Sequence, residues 1–344
     1  MESCRSLVAC LNEGRNWRGT LVDVRADGRW GDPCSSGKDS DACGPYGREL
    51  VVFTHFPKAG GSAVGEKLAA ALSAASPLAA CHLLWNGLDR ESTCTSIKTW
   101  VGRRTLRLAP TLPYGIAARN SNSSLVSAVP FRLCKLLWAQ HLDFSLIAQI
   151  KSQHPSLIIR PVMFVRHPVD LFFSEYLYKR HCLWRQQGKS EPDLSSNRTL
   201  SQHIAQLRNS RERRMQLTWF LAGASWCSCA PSLHVHRARP TRELQTLARR
   251  NAANYLLIGT VERLDASMQL LSRLLGVSLV LPSKGGATAR KNALDGCVSV
   301  RELPSGDTPS DQQRSVVSKL RQEDIDLYNE LDHALARRID AERE

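Results

Sequence analysis

Apolar residues along this chain gather in short runs, and most runs lead into a stretch of helical periodicity. ELVVFT (49–54) is an apolar run that suits a strand buried on both faces. Behind it Val64, Leu68 and Leu72 recur at helical spacing, so residues 55–61 connect a strand to a helix. LCKLLWAQH (133–141) reads as a second buried strand and PVMFV (161–165) as a third. The helix that follows, HPVDLFFSEYLYKR, has Pro168 well placed in its first turn. NYLLIGT (254–260) is a fourth strand, and ERLDASMQLLSRLLG after it is helical with Gly276 as its stop. SDQQ (310–313) fits a capping box ahead of one long helix. Val316, Leu320, Leu327, Leu331 and Leu335 share a face of that helix, a stripe that packs on the domain or, as the alternative, forms a coiled-coil seam.

Strands alternating with helices predict an α/β fold around a mostly parallel central sheet flanked by helices. Residues 1–48 show no periodicity and read as an irregular N-terminal extension. Residues 49–344 read as one domain, long enough to bury a full core. It includes a Gly-rich basic loop, LPSKGGATARKNALDG (281–296), and a C-terminal helix over about 310–340.

Composition adds a sign of charge. Lys plus Arg number 46 against 32 Asp plus Glu, a balance of +14 that favours anionic partners. The cations are scattered through GRRTLR (102–107), RNSRERR (208–214) and HRARPTR (236–242), and only 6% of residues are aromatic. That is not the dense basic stripe with interleaved aromatics of a nucleic-acid binder, so no nucleic-acid partner is expected. Eleven cysteines suggest an oxidising compartment, and the odd count leaves at least one thiol unpaired. WCSCA (226–230) is C-x-C with no partner at zinc spacing, so disulfides rather than a metal are expected. Asn122 and Asn197 each open an N-x-S/T sequon. The N-terminus has no apolar stretch of signal-peptide length and no window reaches the roughly 18 apolar residues of a span. Membrane association would therefore need an anchor not seen in this sequence, and a cytosolic protein and an incomplete gene model both stay open.

The candidate chemistry sits in HFPKAGGSA (55–63). A glycine-rich connection from a buried strand to a helix offers unpaired N–H groups and a positive dipole end, which suit a phosphate. Lys58 stands before Gly60 and Gly61, so the loop is not a Walker A motif, and GKS at 188–190 lacks that motif's upstream glycine. A nucleoside-triphosphate enzyme is disfavoured. In VMFVRHPVDLFFSEYLY (162–178), Arg166 at a strand end and Ser174 on the next helix can grip a dianionic phosphate.

FTHFPKAGGSA resembles the 5′-phosphosulfate loop of sulfotransferases that use 3′-phosphoadenosine 5′-phosphosulfate (PAPS), and its P-K-x-G-G-[ST] form is similar to the heparan sulfate 2-O- and 6-O-sulfotransferases. The segment from Arg166 to Ser174 resembles that family's 3′-phosphate block. WAQHLDFSLI (138–147) resembles its strand-end histidine segment, and NSRERRMQLTWFLAG (209–223), GTVERLDASMQLLSRLLG (259–276) and DIDLYNEL (324–331) are similar to the 6-O group. The likeness covers roughly 49–335.

The resemblance implies a P-loop-like sulfotransferase fold, PAPS as sulfuryl donor without a metal, and an anionic or neutral glycosaminoglycan-like acceptor. A Golgi-lumen location is implied with it, while oligomeric state stays open. His141 is implied as the base, a role a near-neutral imidazole suits, with His82 and His181 as rivals. Lys58 is implied to stabilise the leaving phosphate, and Lys58, Ala59, Gly60, Gly61, Ser62, Ala63, Arg166 and Ser174 are implied to bind the donor. Lys284, Arg290 and Lys291 either close over the nucleotide or form a solvated loop, and Arg180, Arg185, Arg211, Arg213 and Arg214 are candidate glycan contacts. Tyr176 reads as packing and Glu175 is open as an acceptor partner. Three departures stand out: Ala63 replaces a second hydroxyl residue, His167 an aspartate and Leu171 an arginine. They keep open a catalytically silent PAP- or glycan-binding module, and a sulfotransferase acting on a non-glycan acceptor remains the other alternative.

Overall fold

The computed structural model describes residues 49–75, 80–83, 105–108, 127–130, 136–140, 143–153, 157–181, 198–224, 240–279 and 308–343. The four apolar runs become strands β1 (Glu49–His55), β5 (Leu136–Gln140), β6 (Ile158–Val165) and β7 (Leu257–Thr260), and a further strand that the sequence reading did not mark, β2 (Ala80–Leu83), joins them. They form one sheet of order β2–β5–β1–β6–β7, an α/β arrangement of parallel strands flanked by helices. β2 pairs with β5 with Ala80 opposite Leu136. Strands β3 (Thr105–Leu108) and β4 (Ser127–Pro130) make a separate antiparallel pair. The helices are α1 (Gly61–Ala75), α2 (Phe144–Gln153), α3 (Pro168–His181), α4 (Leu200–Asn209), the short α5 (Arg211–Arg214) and α6 (Gln216–Leu221), α7 (Thr241–Ala252), α8 (Leu264–Leu275), α9 (Asp311–Leu320) and α10 (Gln322–Ala341). No helix among the described residues is long and apolar enough to cross a membrane.

Element ends follow local bonding. α8 stops at Gly276, which takes a left-handed conformation at φ 63°, as the sequence predicts. β7 is shorter than the apolar run. The N–H groups of Asn254 and Tyr255 turn back to the carbonyls of Asn251 and Ala252, which keeps them in the turn that follows α7. Only then does the chain extend, with Leu256 N–H donating to Pro161 O at 2.7 Å.

The chain divides into two compact units, one of Met1–Thr54, Ala69–Val162 and Leu221–Leu256, the other of His55–Leu68, Met163–Phe220 and Leu257–Glu344. In the first, Leu50, Val52, Phe53, Leu136, Leu137, Leu146, Ile147 and Ile150 are buried. Thr54 is the polar residue of this strand interior, and its hydroxyl donates to Val162 O at 3.4 Å and lies 3.3 Å from the Tyr255 hydroxyl. Burial pushes that phenol well above its ordinary range.

In the second unit α3 is the hub. Its Val169, Phe172, Phe173 and Tyr176 pack with Leu200, Ile204 and Leu207 of α4 and with Val317 and Ile325. Capping boxes start α4 at Thr199 and α9 at Ser310. The single long helix read from the sequence is instead two, meeting at Arg321, whose φ of −109° and ψ of 18° leave the helical region. The predicted stripe is displaced with it. Leu327 and Leu335 are buried and Val316 and Leu320 half-buried, while Val317, Arg321, Asp324, Ile325 and Tyr328 carry the buried face.

Arg321 is 1% exposed and Asp324 0%, so each needs partners to offset lost hydration. Asp324 accepts from the N–H groups of Leu217 and Thr218 at 2.8 and 2.9 Å and from the Thr218 hydroxyl at 2.8 Å. A carboxylate from α10 thus caps the first turn of α6, where backbone donors lack helical partners. Arg321 donates to Pro168 O at 3.1 Å and to Gln216 Oε1 at 3.2 Å, over the face of Phe172 at 5.6 Å. Burial pushes the Asp324 carboxyl up, and the Arg321 charge and the three donors pull against it. Removing one partner of such a set strands the other charge. Asp324→Ala should therefore destabilise the chain by about 3–5 kcal/mol, read as a drop in the urea midpoint.

His203 of α4 is 6% exposed, with ring centroids 4.9 Å from Phe172 and 5.6 Å from Tyr176. Burial lowers its pKa from 6.5 to about 4, with Glu175 opposing and Lys179, Arg213 and Arg321 reinforcing the shift. A histidine held neutral by the fold contributes its stability above the unfolded value, and that contribution is lost as pH falls towards the folded one. Melting temperature should hold above about pH 6.5 and decline towards about pH 4. His203→Phe should flatten that acid limb.

Candidate functional site

β1 delivers the loop to the end of the strand, and Phe56 anchors it, 1% exposed and edge-on to Phe220 at 4.9 Å. The turn then closes with Ala59 N–H on Phe56 O and Val64 N–H on Gly60 O. Lys58 and Gly60 both take left-handed conformations, at φ 59° and 71°. These two positive-φ residues bend the chain tightly just ahead of the α1 N-terminus, the end of a helix where backbone N–H groups lack helical partners. The two glycines serve different needs. A Cβ on Gly60 would find only Val261 at 3.8 Å, so its requirement is the positive φ. A Cβ on Gly61 would lie 2.0 Å from the His55 ring, so its requirement is space.

β6 lies beside β1 in the sheet, and Arg166 follows its last residue, Val165. Parallel neighbours end on the same edge, so the loop and Arg166 both follow strand ends at one edge of the sheet. Arg166 and, on α3, Ser174 are both half-buried. Neither side chain forms a hydrogen bond or ion pair among the described residues. Lys58 is drawn to the same helix, with Nζ 3.7 Å from the centre of the Tyr178 ring.

The departures have physical accounts. Leu171 is 1% exposed and belongs to the core. His167 gives its N–H to Glu262 Oε1 at 2.9 Å and packs edge-on to Tyr328 at 5.3 Å. Tyr328 donates to the other Glu262 oxygen at 2.7 Å, and burial with that carboxylate pushes the phenol up. These residues line an open pocket of about 620 Å³ with Asp170, Arg314 and Asp332. Asp170 pairs with Arg314 at 2.6 Å, and Asp332 accepts from Thr260 and Arg263.

Tyr176 is packing, 2% exposed. Glu175 pairs with Lys179; burial would raise its carboxyl, but Lys179, Arg321 and His203 hold it below the usual range. Arg213 bonds Gln206 and Arg214 the Arg208 carbonyl. His181 is half-buried at the end of α3, Ala63 half-buried in α1. His141, Arg185, Lys284, Arg290, Lys291 and both sequon asparagines lie outside the described residues, as do the side chains of Ser62, His82 and all the cysteines. Sequence reasoning missed Tyr178, Glu262 and Tyr328. Tyr178 had a signal, since it stands one helical turn beyond Ser174.

No protein-family model matches the chain, and no curated protein matches it.

Lys58→Gly should relieve the left-handed strain and raise stability by about 1 kcal/mol, seen as a higher melting temperature, while weakening pyrophosphate binding in calorimetry. Gly61→Ala should instead lower stability by about 1–3 kcal/mol, because the His55 ring must move.

Proposed function

We propose that the chain is a PAPS-dependent O-sulfotransferase of the P-loop-like sulfotransferase fold, one domain over 49–344, acting on a glycosaminoglycan-like carbohydrate. The observation that carries this reading is the pairing at one sheet edge. The left-handed Lys58–Gly60 turn ends β1, and Arg166, without a partner among the described residues, ends the adjacent β6. Two anion-gripping features on neighbouring strands suit a ligand with two phosphate-like groups.

In this reading the loop backbone with Ser62 holds the 5′-phosphosulfate, and Arg166 and Ser174 hold the 3′-phosphate. PAPS supplies the activated sulfuryl group. His141 removes the proton of the acceptor hydroxyl as its oxygen bonds to sulfur and the bond from sulfur to the bridging oxygen breaks. Charge then builds on the 5′-phosphate of PAP, and Lys58 neutralises it. A side-chain ammonium and backbone donors do the work that metal ions do in kinases. Eleven cysteines agree with an oxidising compartment such as the Golgi lumen.

Incubated with PAPS and a panel of desulfated glycosaminoglycans, the chain should yield sulfated glycan and PAP. His141→Ala should lower turnover by about 10²–10⁴-fold and leave PAP affinity intact. Retained activity moves the base to His82 or His181. Binding of PAP with no turnover on any glycan sinks the glycan-transferase reading in favour of a silent module, which the departure at Ala63 motivates, or of a non-glycan acceptor.

A further inference from the structure

We infer that Tyr178 is a positioning residue for Lys58, its ring face holding the ammonium at the anion-binding loop; this rests on the reading of that loop given above. Lys58 is the one non-glycine residue with positive φ among the described residues. Lysine gains nothing from that backbone region, which glycine, asparagine and aspartate tolerate best. A residue kept there against its preference is held for its side chain. A lysine side chain is also long and rotamer-rich, so a free ammonium would spread over many positions and present a diffuse charge.

Tyr178 narrows that spread. Its ring centre is 3.7 Å from Nζ, well inside the roughly 6 Å reach of a cation–π interaction. The ring is itself firmly mounted. Tyr178 stands on α3, which is clamped through Phe172, Phe173 and Tyr176 and through the bond from Arg321 to the Pro168 carbonyl. Ser174 lies one turn earlier on the same helical face. One rigid face thus carries both a phosphate hydroxyl and the platform for the loop cation. Stacking on an uncharged ring adds no negative charge beside the ammonium.

The test measures binding of PAP and of inorganic pyrophosphate to the full chain by calorimetry, for wild type, Tyr178→Leu, Tyr178→Met, Tyr178→Phe, Lys58→Ala and the Lys58→Ala/Tyr178→Leu pair. Circular dichroism and melting temperature check folding, and the two aliphatic variants stand in for each other if one fails to fold. Loss of the ring should weaken binding roughly two- to thirty-fold, and Tyr178→Phe should recover most of that loss. In the Lys58→Ala background the Tyr178→Leu change should have little further effect, a coupling that a general packing role would not produce. Unchanged or tighter binding by both aliphatic variants, no recovery in Tyr178→Phe, or additive losses in the double variant would overturn the inference and leave the sulfotransferase reading standing. Wild-type binding of pyrophosphate but not PAP sinks the sulfotransferase reading, and the pyrophosphate series then decides the role of Tyr178. Binding of neither ligand overturns both.

Discussion

Arg321 and Asp324 stand one helical turn apart, both withdrawn from water, and the second unit is assembled around them. Buried charges are costly unless well bonded, so they constrain everything they touch. Asp324 requires the first N–H groups of α6, and Arg321 requires the carbonyl that opens α3 together with Gln216. The start of α3, the start of α6 and the junction of α9 with α10 are thereby held in one geometry. An apolar pair of similar volume could pack there, but it would not specify which backbone groups must meet. The gain of the charged pair is definition of geometry, and α3 is the helix whose geometry matters to the candidate site.

From that helix the constraint passes to the loop. Ser174 and Tyr178 project from α3, Arg166 precedes it, and Lys58 reaches across to the Tyr178 ring. Lys58 sits in a backbone region that disfavours side chains, and the lack of a Cβ at Gly61 leaves room for the His55 ring. Strain in a short turn persists when rigid surroundings over-determine it. Here those surroundings include α3, a helix pinned by buried charge, whose Tyr178 ring meets the Lys58 ammonium.

Much of this was legible in the chain. Apolar runs marked β1, β5, β6 and β7 because strands of a parallel sheet covered on both faces need continuous hydrophobicity. Pro168, Gly276 and the Ser310–Gln313 box marked helix ends because each solves a local backbone problem. The loop was legible because left-handed turns and close approach demand glycine. Arg321 and Asp324 were not, since at helical spacing they look like members of a solvated face and only the approach of α3 and α6 buries them. Their burial also moved the apolar stripe of the C-terminal helices from Val316 and Leu320 towards Val317 and Ile325.

The sequence by itself determined the α/β alternation, the place of the loop between strand and helix, and the identity of its charged residues, because these depend on periodicity and on backbone preferences of neighbouring residues. The tertiary structure alone decided that β6 lies beside β1, so that Arg166 and the loop share an edge. It decided that Tyr178, 120 positions from Lys58, supplies the surface on which that lysine rests. Strand order and ring stacking are contacts between residues distant along the chain, and local pattern carries no record of which distant partner arrives.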